Sequence, residues 1–404
     1  MRISTWLLAL VATIAAANTH AQDLVILADE VYTSGPEGRI EKAAIMISDG
    51  KITAIGSMAS MTYPADTPQR TAATVIPGLI DSRTTLGLSG AWNIRADQDH
   101  NELTAPNQAQ LRGIDSYNPS EMLIDFVREH GVTTAHVTPG DGNLIAGQGA
   151  IVKLHGDTVA EAVIRPVASM IFNLGESPKE SYASRKIAPG TRMASAAIIR
   201  QALYAAQHYA EHGGKEGKVD LAVAALVPVV NGEIPAVFTA HREDDISTAI
   251  RIGKEFDLDL YIQYATEGYL MRDDLKAAGV KIMAGPALQR LEGLEAYNAS
   301  LENSGLMHAA GIPVSFSTGH EGYVPKQRIL LYEMGVAVAN GFPAEAAIAA
   351  GTIEAARMLG IDDQVGSIEV GKDADLVLFD GDPFEYTSHI EAVYIDGMTH
   401  SQTP

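Results

Sequence analysis

Short-period apolar runs mark both ends of the chain, and longer-period patterns fill the middle. Leu24 to Leu27, Ala43 to Ile47 and Ile52 to Ile55 are apolar or β-branched runs, punctuated by Gly35-Pro36-Glu37-Gly38 and by Asp49-Gly50. Runs of this length bounded by turn formers predict strands, and Asp-Gly between two of them predicts a tight hairpin. The far end has the same character, from Gly366 to Phe379 and again from Ile390 to Ile395, where Asp396-Gly397 follows. Between the ends, strand-like runs alternate with helix-length amphipathic segments at Ser120 to Glu129, Ala194 to Glu211, Asp244 to Glu255 and Ala344 to Met358. Alternation of this kind over roughly 290 residues predicts an α/β chain with a (β/α)8 TIM-like barrel, which needs about 250 residues. The barrel is expected over residues 75–362. The strand-rich ends, 22–74 and 363–404, suggest a small β-domain completed by both termini.

Residues 1–21 fit neither pattern. A single basic residue, Arg2, precedes the apolar run Leu7 to Ala17, and small or polar residues lead to Ala21. The run is too short to span a bilayer and reads as a secretory signal peptide cleaved after Ala21 or Ala17, so a soluble periplasmic protein is expected. With 46% hydrophobic and 20% charged residues, the 404-residue chain can bury a large core. It contains no cysteine, which excludes a disulfide framework, a thiol nucleophile and a lipid-anchored cysteine. A net charge of -21 argues against nucleic acid and anionic membranes as partners.

The first candidate for chemistry is Val75-Ile76-Pro77-Gly78-Leu79-Ile80-Asp81, a buried-strand pattern that delivers its C-terminal end to a site. Ser82-Arg83-Thr84-Thr85 follow it. A guanidinium keeps its proton and has no lone pair to offer, so Arg83 is no metal ligand. Gly140-Asp141-Gly142 and Gly147-Gln148-Gly149 are loop glycines without a phosphate-binding context, and no Gly-x-Ser-x-Gly elbow occurs.

Together with Pro77 to Asp81, several further segments carry a resemblance. They are Gly131 to Thr134, Pro139-Gly140 with Asn143, Gly147 to Gly149 with Lys153, Gly175 to Lys179, Gly232 to Pro235, His241 to Ile246, Ala265-Thr266-Glu267 and Gly285-Pro286, then Val365 to Phe379. The chain resembles the amidohydrolase superfamily, and within it exported imidazolonepropionase-like members. The resemblance implies the (β/α)8 barrel, closure of the terminal strands into a small β-sandwich domain, and metal-dependent hydrolysis of carbon–nitrogen bonds in amides, cyclic amides or peptides. It also implies a set of metal-ligand places, and this chain fills them differently. Arg83 and Thr85 stand where the family has a histidine pair, Thr239 and Tyr264 where it has single histidines, and Gly319 where it has an aspartate.

A catalytic metal needs three or four aimed N or O donors. The expectation is therefore a weakly active or inactive binding protein or partner subunit, with no cofactor and with the catalytic residues unknown. Its guest would be a small amide, peptide or carboxylate gripped by Arg83, in a pocket shared with His241, Arg242, Glu267 and His320. Its macromolecular partner would be a second copy of the chain or an active amidohydrolase paralogue. The alternative is an active amidohydrolase with one zinc-like divalent ion in a remodelled site built on His241 and His320. The polar run Asp97, Asp99, His100 and Glu102 either joins that site or is a solvated loop. Lys153 either carries a carbamylated metal bridge, as in some amidohydrolases, or caps the barrel as an ion-pair partner.

Overall fold

The computed structural model describes residues 23–92, 94–214, 217–288, 293–319 and 329–402. The leader expected at 1–21 and the candidate His320 lie outside them. The first strands are β1 (Leu24–Tyr32), β2 (Arg39–Ser48), β3 (Lys51–Ser57) and β4 (Gln69–Pro77). The middle of the chain supplies β5 (Leu79–Thr84), β6 (Val132–Val137), β7 (Ile145–Lys153), β8 (Val163–Asn173), β9 (Ala236–Ala240), β10 (Leu260–Tyr264), β11 (Lys281–Ala284) and β12 (Val314–Phe316). The last are β13 (Leu376–Phe379), β14 (Ile390–Ile395) and β15 (Met398–Gln402).

The two chain ends form one sheet in the order β15-β14-β13-β4-β1-β2-β3, joined where β4 meets β13 antiparallel, Pro77 opposite Leu376. Asp49 and Gly50 both have positive φ, 49° and 77°, as a two-residue hairpin turn of the type that follows strand twist requires. A Cβ on Gly50 would lie 2.8 Å from the Asp396 carbonyl oxygen, so the two hairpin turns of this sheet abut with no room for a side chain. The sheet curls until its edge meets the segment before β13: the Ile52 amide donates to Lys372 O at 2.9 Å and the Gly371 amide to Ile52 O at 2.8 Å. Ile26, Ile45, Ile52, Val75, Leu376 and Tyr394 fill the space enclosed.

The barrel sheet runs from β5 to β12 in sequence order, and the ends close where the Gly319 amide donates to Arg83 O at 2.9 Å. Its interior is packed by Ile80, Ile151, Ile171, Val237, Tyr261 and Met283, with Ala355, Met358 and Leu359 plugging the far end. A filled barrel of this kind places its chemistry at the strand ends, not within. One strand departs from the all-parallel pattern. β7 pairs antiparallel with both β6 and β8, Thr134 opposite Lys153 and Val137 opposite Ala150, so its C-terminal end points away from the C-terminal ends of the other strands.

The amphipathic segments become helices at Met122–Glu129, Arg192–His212 and Glu243–Phe256. The fourth does not: Ala344 to Met358 splits into Ala344–Ala350 and Ile353–Leu359. Gly351 leaves the helix there and its carbonyl accepts the Ile80 amide at 2.8 Å, so a barrel-strand hydrogen bond replaces a helical one.

Candidate active site

The C-terminal ends of β5, β9 and β10 and the turn after β12 meet around one guanidinium. Asp81 pairs with Ala135 but Thr84 with Val137, so β5 carries a bulge across Ser82 and Arg83, a device that re-aims side chains. Arg83 is 2% exposed. Its Nη1 donates to Thr239 Oγ1 at 2.8 Å, its Nε to Thr138 Oγ1 at 3.2 Å, and its Nη2 to Asp141 Oδ1 at 2.9 Å. Asp141 bridges onward, its Oδ2 accepting the Tyr264 hydroxyl at 2.9 Å. Thr239 donates to Asn173 Oδ1 at 2.6 Å, and the Asn173 amide donates to Gly140 O and Asn143 O, which anchors the loop that carries Asp141.

Two adjoining features shape this network. Tyr264 and Ala265 both take left-handed backbone conformations, φ 68° and 45°, at a cost of about 1–3 kcal/mol each. This turn brings the Tyr264 ring beside Gly319, where an added Cβ would lie 2.8 Å from Tyr264 Cε1. Gly319 itself has φ 66°. The same Cβ would lie 3.2 Å from Gln263 Nε2, a buried amide nitrogen with no hydrogen-bond partner among the described residues. His241 stacks on the other side of Tyr264, ring centroids 4.3 Å apart, and its Nδ1 meets Thr266 Oγ1 at 2.9 Å.

Burial governs the titration of the groups beneath. Asp81 accepts from the Thr318 hydroxyl and amide and from the Arg83 amide, yet loss of solvation pushes its carboxyl up to about 7, with Glu333 adding to the rise. His136, fully buried, meets Ser82 O through Nδ1 and Ser169 Oγ through Nε2, both at 2.8 Å. A carbonyl only accepts, so Nδ1 carries the proton and Nε2 accepts from the serine. Burial pushes both His136 and His241 down to about 4, and the Arg83 charge adds to the depression. Their rings should therefore stay neutral well below the ordinary midpoint of about 6.5, with imidazole NMR shifts turning over near 4. A midpoint near the ordinary value for either ring would contradict this. The sign follows: both are proton-poor when folded, so they contribute stability above about 6.5 that is lost as pH falls towards 4.

A profile described as "Amidohydrolase family" matches residues 192–400. The chain belongs to the amidohydrolase family. A crystal structure of an amidohydrolase from Thermotoga maritima MSB8 superimposes with a TM-score of 0.87 at 28% identity, covering 94% of this chain and all of that one. An imidazolonepropionase of Geobacillus sp. (strain WCH70) is 26% identical over 412 residues, 90% of this chain and 88% of the relative. Amidohydrolase tasK of Hapsidospora irregularis is 24% identical over 364 residues; the match takes in 81% of this chain but only 36% of tasK, so the chain spans about a third of that relative. These similarities support an imidazolonepropionase-like member of a hydrolase family.

Of the candidate residues of this amidohydrolase, the structure brings together Arg83, Thr239, Tyr264, His241 and Gly319. Thr85 is buried next to them and accepts from Ser89 Oγ at 3.5 Å, on the loop side of the site. Arg242 turns away and makes two hydrogen bonds to Asp244, at 3.1 and 3.2 Å. Glu267 clamps loops, Oε2 accepting the Glu243 amide and Oε1 the Asn298 amide, each at 2.7 Å. Arg242 and Glu267 thus share a separate cleft of about 540 Å³ with Tyr297 and Asn298, not the Arg83 network. Asp99 and Glu102 are exposed, as a solvated loop would have them, and His100 Nδ1 meets Ser89 Oγ at 2.8 Å.

The carboxylate that Arg83 meets within the chain is that of Asp141. Sequence reasoning passed over Asp141, Thr138 and Asn173. An acid between two glycines, in a chain whose first barrel strand ends in arginine, was the available signal for Asp141. Lys153 is also settled. Because β7 runs antiparallel, Lys153 lies at the opposite end of the barrel, where it pairs with Asp373 at 2.6 Å, Asp375 at 3.3 Å and Asp396.

Proposed function

We propose that this amidohydrolase has exchanged the family's catalytic metal for an internal guanidinium–carboxylate pair and serves as a binding or partner protein with little or no metal-dependent carbon–nitrogen hydrolysis. The observation that carries the proposal is the buried Arg83–Asp141 pair, 2.9 Å apart, with Thr239 on the same guanidinium. At the five ligand places stand a guanidinium, two threonine hydroxyls, a tyrosine and a glycine, none of them an imidazole or a carboxylate, and the Asp141 carboxylate beside them is already held by Arg83 and Tyr264. Among the described residues no group of three or more His, Cys, Asp or Glu side chains is placed to hold a metal ion. Tyr264 adds a steric argument: its ring stands where a side chain on the residue after Thr318 would project.

The remodelled site built on His241 and His320 finds little support in His241, whose ring is packed on Tyr264 and bonded to Thr266. Export through the leader at 1–21 and a homo-oligomeric or paralogous partner belong to the same proposal. Elemental analysis of the purified, dialysed mature protein tests it. Zinc, manganese and iron are expected far below one equivalent per chain, with no added metal raising the hydrolysis of a panel of amides and dipeptides. One tightly held transition metal per chain would overturn the proposal.

A further inference from the structure

The helix Arg192–His212 ends in His208-Tyr209-Ala210-Glu211-His212, which reads His-x-x-Glu-His. Residues four apart on a helix share a face, with Cβ atoms about 5–6 Å apart, so this spacing sets two imidazoles side by side. Both histidines are exposed, their ring centroids lie 4.4 Å apart and the ring planes are inclined by 26°. His212 Nδ1 meets the His208 carbonyl oxygen at 3.0 Å. A carbonyl only accepts, so Nδ1 carries the proton and the lone pair of the His212 ring sits on Nε2, the atom a metal would take. Metal-binding histidines are oriented by a bond of this kind from the second ring nitrogen.

The surroundings on balance favour a cation. Glu211 Oε2 lies 3.7 Å from His212 Nδ1, and the last turn of this 21-residue helix carries the negative end of its dipole. The pair lines a groove of about 1520 Å³ with Asp220 and Lys218. Lys218 opposes a cation there, and Asp220 is engaged elsewhere, its Oδ1 accepting the amides of Ala222 and Val223 at 3.1 and 3.2 Å. Among the described residues no third His, Cys, Asp or Glu joins the two histidines in a metal-holding group, so water would complete the shell. Imidazole suits copper and zinc, and the affinity of nitrogen sites peaks at Cu²⁺. We infer that His208 and His212 form a two-point chelate for one divalent transition-metal ion at the end of this helix, taking Cu²⁺ more tightly than Zn²⁺ and Mg²⁺ not at all.

The inference goes beyond the proposed function, because an exposed two-donor site is emptied by dialysis against EDTA and lies outside the Arg83 network. Calorimetric titration of the EDTA-dialysed mature protein with Cu²⁺, Zn²⁺ and Mg²⁺ is the test. The parent is expected to bind one Cu²⁺ per chain in a saturable phase, Zn²⁺ more weakly, and no Mg²⁺. His208→Ala and His212→Ala should each weaken the Cu²⁺ phase by roughly tenfold or more, since a lone imidazole closes no chelate. Both positions are exposed on a helix, where alanine is the best helix former, so the variants keep the fold. His389→Ala, at an exposed histidine beside Asp380, should leave the phase unchanged. Electron paramagnetic resonance of the one-to-one Cu²⁺ complex should show two imidazole nitrogens in the parent and one in either variant. No saturable Cu²⁺ phase in the parent, an unchanged phase in either variant, or Mg²⁺ binding as tightly as Cu²⁺ would overturn the inference. A transition metal that survives the dialysis and persists when both histidines are replaced would count against the proposed function alone.

Discussion

Arg83→Met is expected to lower the free energy of unfolding by about 3–5 kcal/mol, the cost of leaving one member of a buried ion pair uncompensated. The guanidinium is 2% exposed and the Asp141 side chain 14%, so solvent cannot take over the missing cation. The hydroxyls of Thr138 and Thr239 lose a donor at the same time. Asp141→Asn in the Arg83→Met background should recover part of the loss, because a neutral amide no longer needs a counter-charge; contacting partners of this kind couple by about 0.5–3 kcal/mol. Urea denaturation of the parent, the two single variants and the double variant measures all terms, provided the slope with denaturant is unchanged. A loss for Arg83→Met below about 1 kcal/mol would rank the pair with solvent-screened surface bridges and remove its structural role.

Lys153→Met should be comparably severe, at about 3–5 kcal/mol, for a different architectural reason. The Lys153 ammonium ties the barrel to the terminal sheet through Asp373, Asp375 and Asp396. Burial alone would lower its proton affinity, but the three carboxylates outweigh burial and hold it above its ordinary value, so it stays charged. Burial pushes Asp375 up to about 6, with Asp396 and Asp373 adding to the rise and Lys153 opposing it. Removing the lysine takes away the main charge opposing the rise at Asp375, which then holds its proton still more tightly when folded than when unfolded. A folded-state value raised above the unfolded one favours the native state as pH falls, so the deficit should be largest at neutral pH and shrink as pH drops through about 6 and below. A deficit that grows on acidification would contradict the assignment of Lys153 as the charge that neutralises this cluster. Lys51, which also pairs with Asp373, sits half in solvent and cannot substitute from that side.

These two cations show where the sequence sufficed and where it did not. The terminal hairpins were legible because turn chemistry is local: Asp49-Gly50 needs only its own φ angles and the flanking alternation. The barrel was legible because alternating strand and helix periods over the middle of the chain have few compact solutions, and the resemblance narrowed them further. That Arg83 stands at a strand end and binds no metal also followed from residue type alone, since guanidinium chemistry does not depend on context. Ala344 to Met358 was misread as one helix because its amphipathic period continues through Gly351, while the acceptor demand of Ile80, which breaks it, comes from a strand more than 260 residues away.

What Arg83 and Lys153 touch was decided only by the tertiary structure. The sequence left Arg83 as a cation awaiting a guest; the loop after β6, pinned by Asn143 and Asn173, carries Asp141 onto it and closes the pair within the chain. The sequence left Lys153 between a metal bridge and an ion-pair cap; the antiparallel direction of β7 removes it to the far end of the barrel, and strand direction is not written in a run such as Ile145 to Lys153. The replacement at Gly319 likewise acquires its meaning in space, because the ring of Tyr264 fills the volume that the absent side chain vacates. Residue chemistry and local period are properties of short windows, whereas charge pairing, strand direction and shared volume depend on segments brought together by the fold, and it is these that shape the strand-end site of this amidohydrolase.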